Sequence, residues 1–338
     1  MLKIKYPDNY QPEREYILRV LFEEFAGLEI EWQCENRTDY LLMTETSGEL
    51  LVKDDFFNRF GDQNYLHKAN IPSQIGWLSQ RNKEGELIPV IFGEPHVEEF
   101  ESQIICHADL FASAFFMLSR WEEVVNENRD QHDRFRATES VAVQHDFIHR
   151  PVVNEYLELL LNWLKKLGLK QNMPQREFQW VLTHDIDKIS WDKNYWRSLA
   201  RDLLKQGNPQ LVWKKLTQIF RNPYDTFDKL MDWSEQAGVK SHFYFMAGGN
   251  GEYDYENYLQ KDSFKESVQK IQKRGHIIGF HPGYATYRDE SEWKEQKNSL
   301  AQIIGQPINE GRQHFLRVRI PETWQIWDEN DMETDSSM

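Results

Sequence analysis

The amino-acid sequence predicts an α/β fold in the C-terminal half of the chain, preceded by a smaller α+β domain. Two observations predict it: β-rich and helical segments alternate after residue 177, and polar residues of the kinds found in active sites follow the predicted strands directly. The chain has 338 residues, of which 40% are hydrophobic, enough for about two domains with their own cores. We place the boundary in the polar segment 170–177, which gives domains of 1–172 and 173–338.

The first domain is predicted to mix short strands with helices. Residues 110–125 place Phe111, Phe115 and Leu118 on one face at helical spacing, which predicts a helix. A second helix follows Pro151, a residue suited to the first turn of a helix, and ends near Gly168. Strand-like pieces and a further helix account for much of residues 1–60.

The second domain is predicted to consist of parallel βα units, because strands and helices alternate along it. The predicted strands are residues 178–183, 239–246, 277–280 and 315–320, and the predicted helices lie within 195–222 and at 227–237, 264–274 and 291–304. In sheets and barrels of this kind, active-site groups lie just past the carboxyl ends of the strands. Asp185, Asp187, the segment 247–249 and His281 all occupy such positions.

The charge of the chain and its lack of long apolar segments limit its partners. The formal net charge of −15 disfavours binding to nucleic acids and to anionic membrane surfaces. The N-terminus lacks the apolar region of a signal peptide, and no apolar run approaches the roughly 18 residues that span a bilayer. We therefore expect a cytoplasmic protein without a membrane span, in which Cys34 and Cys106 are buried thiols rather than a disulfide. Nothing in the sequence predicts an oligomeric state.

Two aspartates spaced by one residue follow the first predicted strand of the second domain. Alternate residues of a strand point the same way, so Asp185 and Asp187 can converge on one site. Like charges held close together raise one pKa unless a cation neutralises them. The pair therefore suits a divalent metal, with one carboxylate as ligand and the other as general base. An isolated Asp-x-Asp is also typical of a solvated turn or a helix N-cap, and these interpretations stay open on the residues alone.

Three further residues could complete such a site. His281 suits it because imidazole and carboxylate form a common ligand set for Zn²⁺, although a hydrogen-bonded histidine at a strand end is the alternative. Arg312 could orient a carboxylate and His314 could bind metal or substrate, although a surface ion pair would explain the same residues. The other histidines, including His107 and His132, lack ligand spacing with a cysteine and are interpreted as ordinary loop or core residues.

The order of these residues resembles that of the polysaccharide deacetylase (NodB-homology) family. Residues 183–187 read Thr-His-Asp-Ile-Asp and resemble the first motif of that family, Thr-x-Asp-x-Asp. Residues 275–282, Gly-His-Ile-Ile-Gly-Phe-His-Pro, resemble its second motif, and Arg312 lies where the third motif places its arginine. The resemblance covers roughly residues 178–338, and residues 1–172 look like the accessory domain that precedes some bacterial members.

This resemblance implies a distorted (β/α) barrel that uses one divalent metal to remove N- or O-acetyl groups from a carbohydrate. It implies that Asp185 is the general base, that Arg312 orients this base, and that Asp187 and His281 bind the metal. Zn²⁺ is the expected cofactor, with Co²⁺, Ni²⁺ and Mn²⁺ as alternatives, and the expected partner is an acetylated glycan.

Two departures from the family pattern leave other functions open. Ala285 stands where the second motif supplies another histidine, so the third ligand is expected to be His314 or water. Residues 335–338 read as the start of a further strand, so the barrel is expected to be incomplete at its C-terminus and to lack the motif that provides a general acid. The alternatives are a degenerate deacetylase fold that binds glycan without hydrolysis, and a metal-dependent hydrolase of a non-sugar amide.

Overall fold

The computed structural model describes residues 1–61, 63–174, 177–190, 222, 224–249, 251–255 and 257–338. These residues form two compact units, of which the first consists of Met1–Asp130 and Phe135–Glu177 and the second of Gln131–Arg134 and Phe178–Met338. Both units contain helices and strands, which confirms the mixed α/β class. The helices predicted within 195–222 lie outside the described residues, apart from Asn222.

A six-stranded sheet forms the framework of the first unit. The strands of this unit are β1 (Leu2–Pro7), β2 (Ile30–Glu35), β3 (Asp39–Met43), β4 (Glu49–Lys53), β5 (Gly76–Arg81), β6 (Leu87–Val90), β7 (Gly93–Glu99) and β8 (Gln103–Ala108). The sheet has the order β2-β1-β3-β4-β8-β7, while β5 and β6 pair separately. The prediction of two buried thiols is wrong for Cys34, which is exposed because β2 is an edge strand, whereas Cys106 of β8 is buried.

The helices of the first unit are α1 (Gln11–Leu18), continued by a π-helical segment (Arg19–Phe25), α2 (Leu110–Ser119), α3 (Trp121–Val125), α4 (Val141–Gln144) and α5 (Val152–Lys166). The single helix predicted over residues 110–125 is wrong, because Arg120 adopts a left-handed conformation with φ 51° and ψ 32°. This break turns the chain so that the ring of Trp121 packs against the rings of Phe116 and Phe56, with centroid distances of 5.1 and 5.8 Å. The aromatic contacts offset the strain of the left-handed residue.

A buried aspartate connects β8 to α2. Asp109 caps α2 by accepting a hydrogen bond from the N–H of Ala112 at 2.9 Å. Its other carboxylate oxygen accepts hydrogen bonds from the N–H groups of Asp55 and Phe56 at 2.9 and 3.0 Å. Burial, assisted by the nearby charge of Asp54, raises the pKa of Asp109 to about 7. This carboxyl group therefore holds two segments together at an electrostatic cost that depends on pH.

Among the described residues of the second unit, five parallel strands form one sheet. They are β9 (Leu182–Ile186), β10 (Ser241–Met246), β11 (Ile277–His281), β12 (Glu310–Gly311) and β13 (Thr334–Asp335). The order is β13-β12-β11-β10-β9, so each strand pairs with the next one along the described chain. Because all five strands run in one direction, their carboxyl ends lie at the same edge of the sheet. Asp187, His281 and Arg312 lie at that edge, at the ends of β9, β11 and β12.

The described residues of the second unit form the helices α6 (Phe227–Gln236), α7 (Asp262–Lys273), α8 (Glu290–Ile304) and α9 (Glu322–Asp328). Gly275 ends α7 in a left-handed conformation with φ 71°, and the chain then enters β11. Phe243 and Phe245 of β10 and Trp293 of α8 are buried in the core of this unit. Within the described residues, no helix is both long and apolar enough to span a bilayer.

Two strand predictions in the second unit are wrong. Residues 178–181 are not in a strand, because β10 begins at Ser241, whose partner on β9 is Leu182, so the sheet offers no pairing partner before that residue. Phe178 and Trp180 are consequently 85% and 61% exposed. Residues 315–320 form no strand either, since Phe315 and Leu316 have positive φ angles of 59° and 53° in a short 3₁₀ turn.

Candidate metal and catalytic site

The carboxyl ends of β9 and β11 and the turn after β12 bring three potential metal ligands together. Asp187 Oδ1 lies 3.3 Å from His281 Nε2 and 3.6 Å from His314 Nδ1. The two imidazole nitrogens are 2.9 Å apart. Four-coordinate zinc with bonds of about 2.0–2.1 Å separates its ligand atoms by about 3.3 Å, so these three distances match a tetrahedral ligand set.

Backbone carbonyls fix the ring orientation of both histidines. His281 Nδ1 lies 2.6 Å from the carbonyl oxygen of Arg312, and His314 Nε2 lies 3.1 Å from that of Tyr253. A carbonyl oxygen can only accept a hydrogen bond, so each of these nitrogens carries a proton. In the neutral imidazoles, His281 Nε2 and His314 Nδ1 therefore present lone pairs to each other and to Asp187. Metal-binding histidines in proteins almost always donate their other ring N–H in this way.

The protonation of these groups favours a bound cation. Asp187 Oδ1 is buried without a hydrogen-bond partner in the geometry of the site. Burial acts to raise the pKa of Asp187, but hydrogen bonding and charge attraction from His281 and His314, when these imidazoles are protonated, outweigh burial and lower the pKa. Burial and the proximity of His281 lower the pKa of His314. Ionised carboxylate and neutral imidazole are the metal-binding forms, so the donor set fits a divalent cation.

A turn stabilised by aromatic residues places His314 in this group. Phe315, which has the left-handed conformation, packs its ring against those of Tyr253 and Tyr284, each at a centroid distance of 5.3 Å. His132 packs on Phe315 at 5.0 Å and Arg134 Nη1 donates a hydrogen bond to the carbonyl oxygen of Phe315 at 3.1 Å. These contacts explain why residues 315–320 do not continue as a strand, and they aim His314 at His281.

An arginine and an aspartate form a second group beside the potential ligands. Arg312 Nη1 donates a hydrogen bond to Asp185 Oδ1, Nη2 donates to Thr183 Oγ1 and Nε donates to the carbonyl oxygen of Ser336, each at 2.9 Å. Three bonds fix the plane of the guanidinium, so the direction of the Asp185 carboxylate is fixed as well. Asp185 lies within β9 rather than after it, and one residue separates it from Asp187.

Both groups open into a solvent-accessible cavity of about 510 Å³. Its lining includes Asp185, Asp187, His281, Arg312, His314, Phe315 and Leu316. This volume lies within the range of about 300–1,000 Å³ that is usual for small-molecule sites. Ala285 lines a different cavity, with Asp254, Glu292 and Gln296. The side chain that joins His281 is therefore that of His314, and position 285 lies elsewhere.

The structure brings together all five residues singled out from the sequence, in two groups. Asp187, His281 and His314 form one, and Asp185 and Arg312 form the other. Sequence reasoning missed the carbonyl groups of Tyr253 and Arg312, which orient the two imidazoles. Every residue has a carbonyl, so no sequence signal could have identified these two.

Comparisons with known proteins give one family match and several partial structural likenesses. Residues 2–169 match a family of unknown function (DUF7033). No curated protein matches the chain. Several solved structures show a partial likeness. A chitin deacetylase from the fungal pathogen Colletotrichum lindemuthianum is 14% identical, over 34% of this chain and 51% of its own, with a TM-score of 0.28.

Two other solved structures show a likeness of the same degree. A putative polysaccharide deacetylase from Mycobacterium smegmatis is 14% identical, over 50% of this chain and 56% of its own, with a TM-score of 0.31. A polysaccharide deacetylase from Bacillus cereus is 19% identical, over 34% of this chain and 55% of its own, with a TM-score of 0.25. The chain thus spans about half the length of each of these proteins.

Proposed function

We propose that the second unit is a metal-dependent hydrolase that removes acetyl groups from a carbohydrate. The observation that carries the proposal is the group formed by Asp187, His281 and His314, in which two imidazole lone pairs and a carboxylate oxygen face one another within 4.8 Å. The order of β9 to β13, in which each parallel strand pairs with the next, supports a (β/α) barrel of polysaccharide-deacetylase type for residues 173–338.

The ligand set suits Zn²⁺, with Co²⁺, Ni²⁺ and Mn²⁺ as alternatives. Two nitrogen donors and one oxygen donor leave a coordination position open, which is the pattern of catalytic rather than structural zinc. A divalent cation held by these residues would supply Lewis acidity, polarising the acetyl carbonyl and lowering the pKa of a nearby water. Arg312 and Tyr253 contribute through their carbonyl groups, which keep both imidazoles in the ligand tautomer.

Asp185 is the general base in this proposal. Arg312 holds one oxygen of its carboxylate at 2.9 Å, which orients the group without occupying both oxygens. Asp185 takes a proton from the attacking water while the oxygen of that water bonds to the acetyl carbon. The bond to the sugar nitrogen or oxygen then breaks, the leaving atom receives the proton, and acetate is the second product.

The experiment combines metal analysis with a deacetylation assay. The purified chain, loaded with Zn²⁺ or Co²⁺, is incubated with acetylated chitooligosaccharides and acetate release is measured. We expect Asp185→Asn to retain the metal and to lower kcat by about 10²–10⁴-fold, because only the base is removed. His149→Asn, a change at an exposed histidine of the first unit, serves as the matched control and should leave both measurements unchanged.

Three outcomes would contradict the proposal in different ways. Loss of metal in Asp185→Asn would reverse the roles of the two aspartates. Metal binding with glycan binding but no acetate release would favour a fold that binds glycan without hydrolysis. Release of acetate from simple N-acetyl amines but not from sugars would favour the non-sugar amide alternative.

A further inference from the structure

A second group of potential metal ligands lies on the sheet of the first unit. His96 and Glu98 are alternate residues of β7, so their side chains leave the same face of the strand. β8 pairs antiparallel with β7 in a register that sets Cys106 opposite Val97, which brings His107 next to His96. The rings of the two histidines are 5.2 Å apart. Pairing of the two strands therefore assembles an imidazole, a carboxylate and a second imidazole.

The distances within this group fit one metal ion. His107 Nε2 lies 2.8 Å from Glu98 Oε1, and His96 Nε2 lies 3.9 Å from the same oxygen. These values bracket the separation of about 3.3 Å expected between ligands of tetrahedral zinc. One donor atom from each of the three residues lies within 4.8 Å of the other two.

The surroundings of the group favour a cation that exchanges with solvent. His107 lies on the face of β8 opposite to the buried residues Ile104, Cys106 and Ala108, so the group faces water. Residues 94–101 include four glutamates, which raise the local concentration of cations. Imidazole donors select against Mg²⁺ and Ca²⁺, which prefer oxygen ligands.

We propose that His96, Glu98 and His107 bind one Zn²⁺ ion that links the edge strand β7 to β8. Two imidazoles and one carboxylate leave a fourth position open to water, so the site has the donor set of an accessible zinc centre. The ion replaces the hydrogen bond between His107 and Glu98. The ion also protects the edge strand β7, whose hydrogen-bonded pairing with β8 is irregular between Gly93 and Val97. This site is independent of the one in the second unit.

Zinc stoichiometry of the full-length chain tests the proposal. Two proteins are titrated with Zn²⁺ by calorimetry. The first carries Asp187→Asn, and the second carries Asp187→Asn together with His96→Ala and His107→Ala. We expect the double change to abolish one equivalent of binding, or to weaken it by about 100-fold or more, the scale of even indirect perturbations at metal sites. His149→Ala is the matched control and should leave that equivalent in place, and Mg²⁺ should give no binding. An unchanged equivalent after the double change would overturn the proposal.

Chemical protection gives a second test that requires no variant. Diethyl pyrocarbonate modifies accessible imidazoles, and the modified residues are identified by mass spectrometry. We expect Zn²⁺ to protect His96 and His107 of the unmodified chain while His67 and His149, which are exposed elsewhere in the first unit, react equally with and without the ion. The proposal would be refuted if Zn²⁺ left the modification of all four histidines unchanged, or if protection required more than about 1 mM Zn²⁺.

Discussion

Replacing Asp187 with asparagine is expected to remove metal binding from the second unit and to leave its fold intact. The amide has the shape of the carboxylate, and its N–H can donate to the lone pair of His281 Nε2, which lies 3.3 Å from Asp187 Oδ1. The metal-free variant therefore gains a hydrogen bond to the neutral imidazole, which a carboxylate cannot make because it has no proton to donate. The ligand set, however, loses its negative charge, and a neutral amide is a poor ligand for Zn²⁺.

The size of the effect follows from linkage between binding and unfolding. A loss of affinity of about 100-fold corresponds to about 2.8 kcal/mol. At a Zn²⁺ concentration 100 times the parent Kd, binding stabilises the parent by about 2.7 kcal/mol and the variant by only about 0.4 kcal/mol. For a domain of this size, zinc binding should raise the Tm of the parent by about 5–11 °C and that of the variant by about 1–2 °C.

The assay is calorimetric unfolding with and without Zn²⁺. His96→Ala with His107→Ala is included in both proteins, so that only the second unit responds to the ion. An equal zinc-induced rise in Tm for parent and variant would refute the assignment of Asp187 as a ligand. A large drop in the zinc-free Tm of the variant would refute the argument that the amide satisfies an imidazole lone pair.

Three further predictions address the base, the packing of the sheet and the pH dependence of stability. Arg312→Lys should lower kcat by up to about 10²-fold and leave the metal stoichiometry unchanged. The reason is that one ammonium group cannot replace the three guanidinium hydrogen bonds to Asp185, Thr183 and Ser336. An unaltered kcat would contradict the orienting role of Arg312. Gly279→Ala should lower the free energy of unfolding in urea by about 1–3 kcal/mol, because a Cβ there would meet the ring of Tyr244 and lie 2.8 Å from the carbonyl oxygen of Glu310. Adding Tyr244→Leu should recover part of this loss. No recovery would contradict the clash with the Tyr244 ring as its cause. Burial raises the pKa of Asp109 from 3.8 to about 7, so its stabilising contribution is complete below about pH 4 and is lost as the pH rises through 7. Asp109→Asn should therefore flatten the dependence of the unfolding free energy on pH between about 4 and 7, and an unchanged slope in urea denaturation would contradict this origin.

The sequence alone was enough to predict which chemical groups to examine in the second unit. Side chains alternate along a strand, and parallel strands end at one edge, so this pattern by itself predicts that Asp187 and His281 lie near each other. The pairing of Arg312 with Asp185 could be expected from the resemblance to a motif. These inferences need only local periodicity and the direction of the strands.

Tertiary structure decided the features that depend on contacts between distant residues. His314 reaches His281 because Tyr253, Tyr284 and His132 hold a left-handed turn at Phe315, and no local pattern predicts that turn. The strand predicted at residues 178–183 lies at Leu182–Ile186 in the structure. Its start is set by backbone hydrogen bonding to β10, which begins at Ser241, and not by the β-propensity of Phe178 and Trp180.

The group of His96, Glu98 and His107 shows most directly which features follow from the local sequence pattern and which require the tertiary structure. His96 and Glu98 share a strand face, which local alternation could reveal, but His107 was interpreted as an ordinary residue because it lacks ligand spacing with a cysteine. Only the register of β7 against β8 places it beside them. Strand register is set by the whole buried face of a sheet and by the turns that connect its strands, so a site built across two strands is determined by tertiary structure.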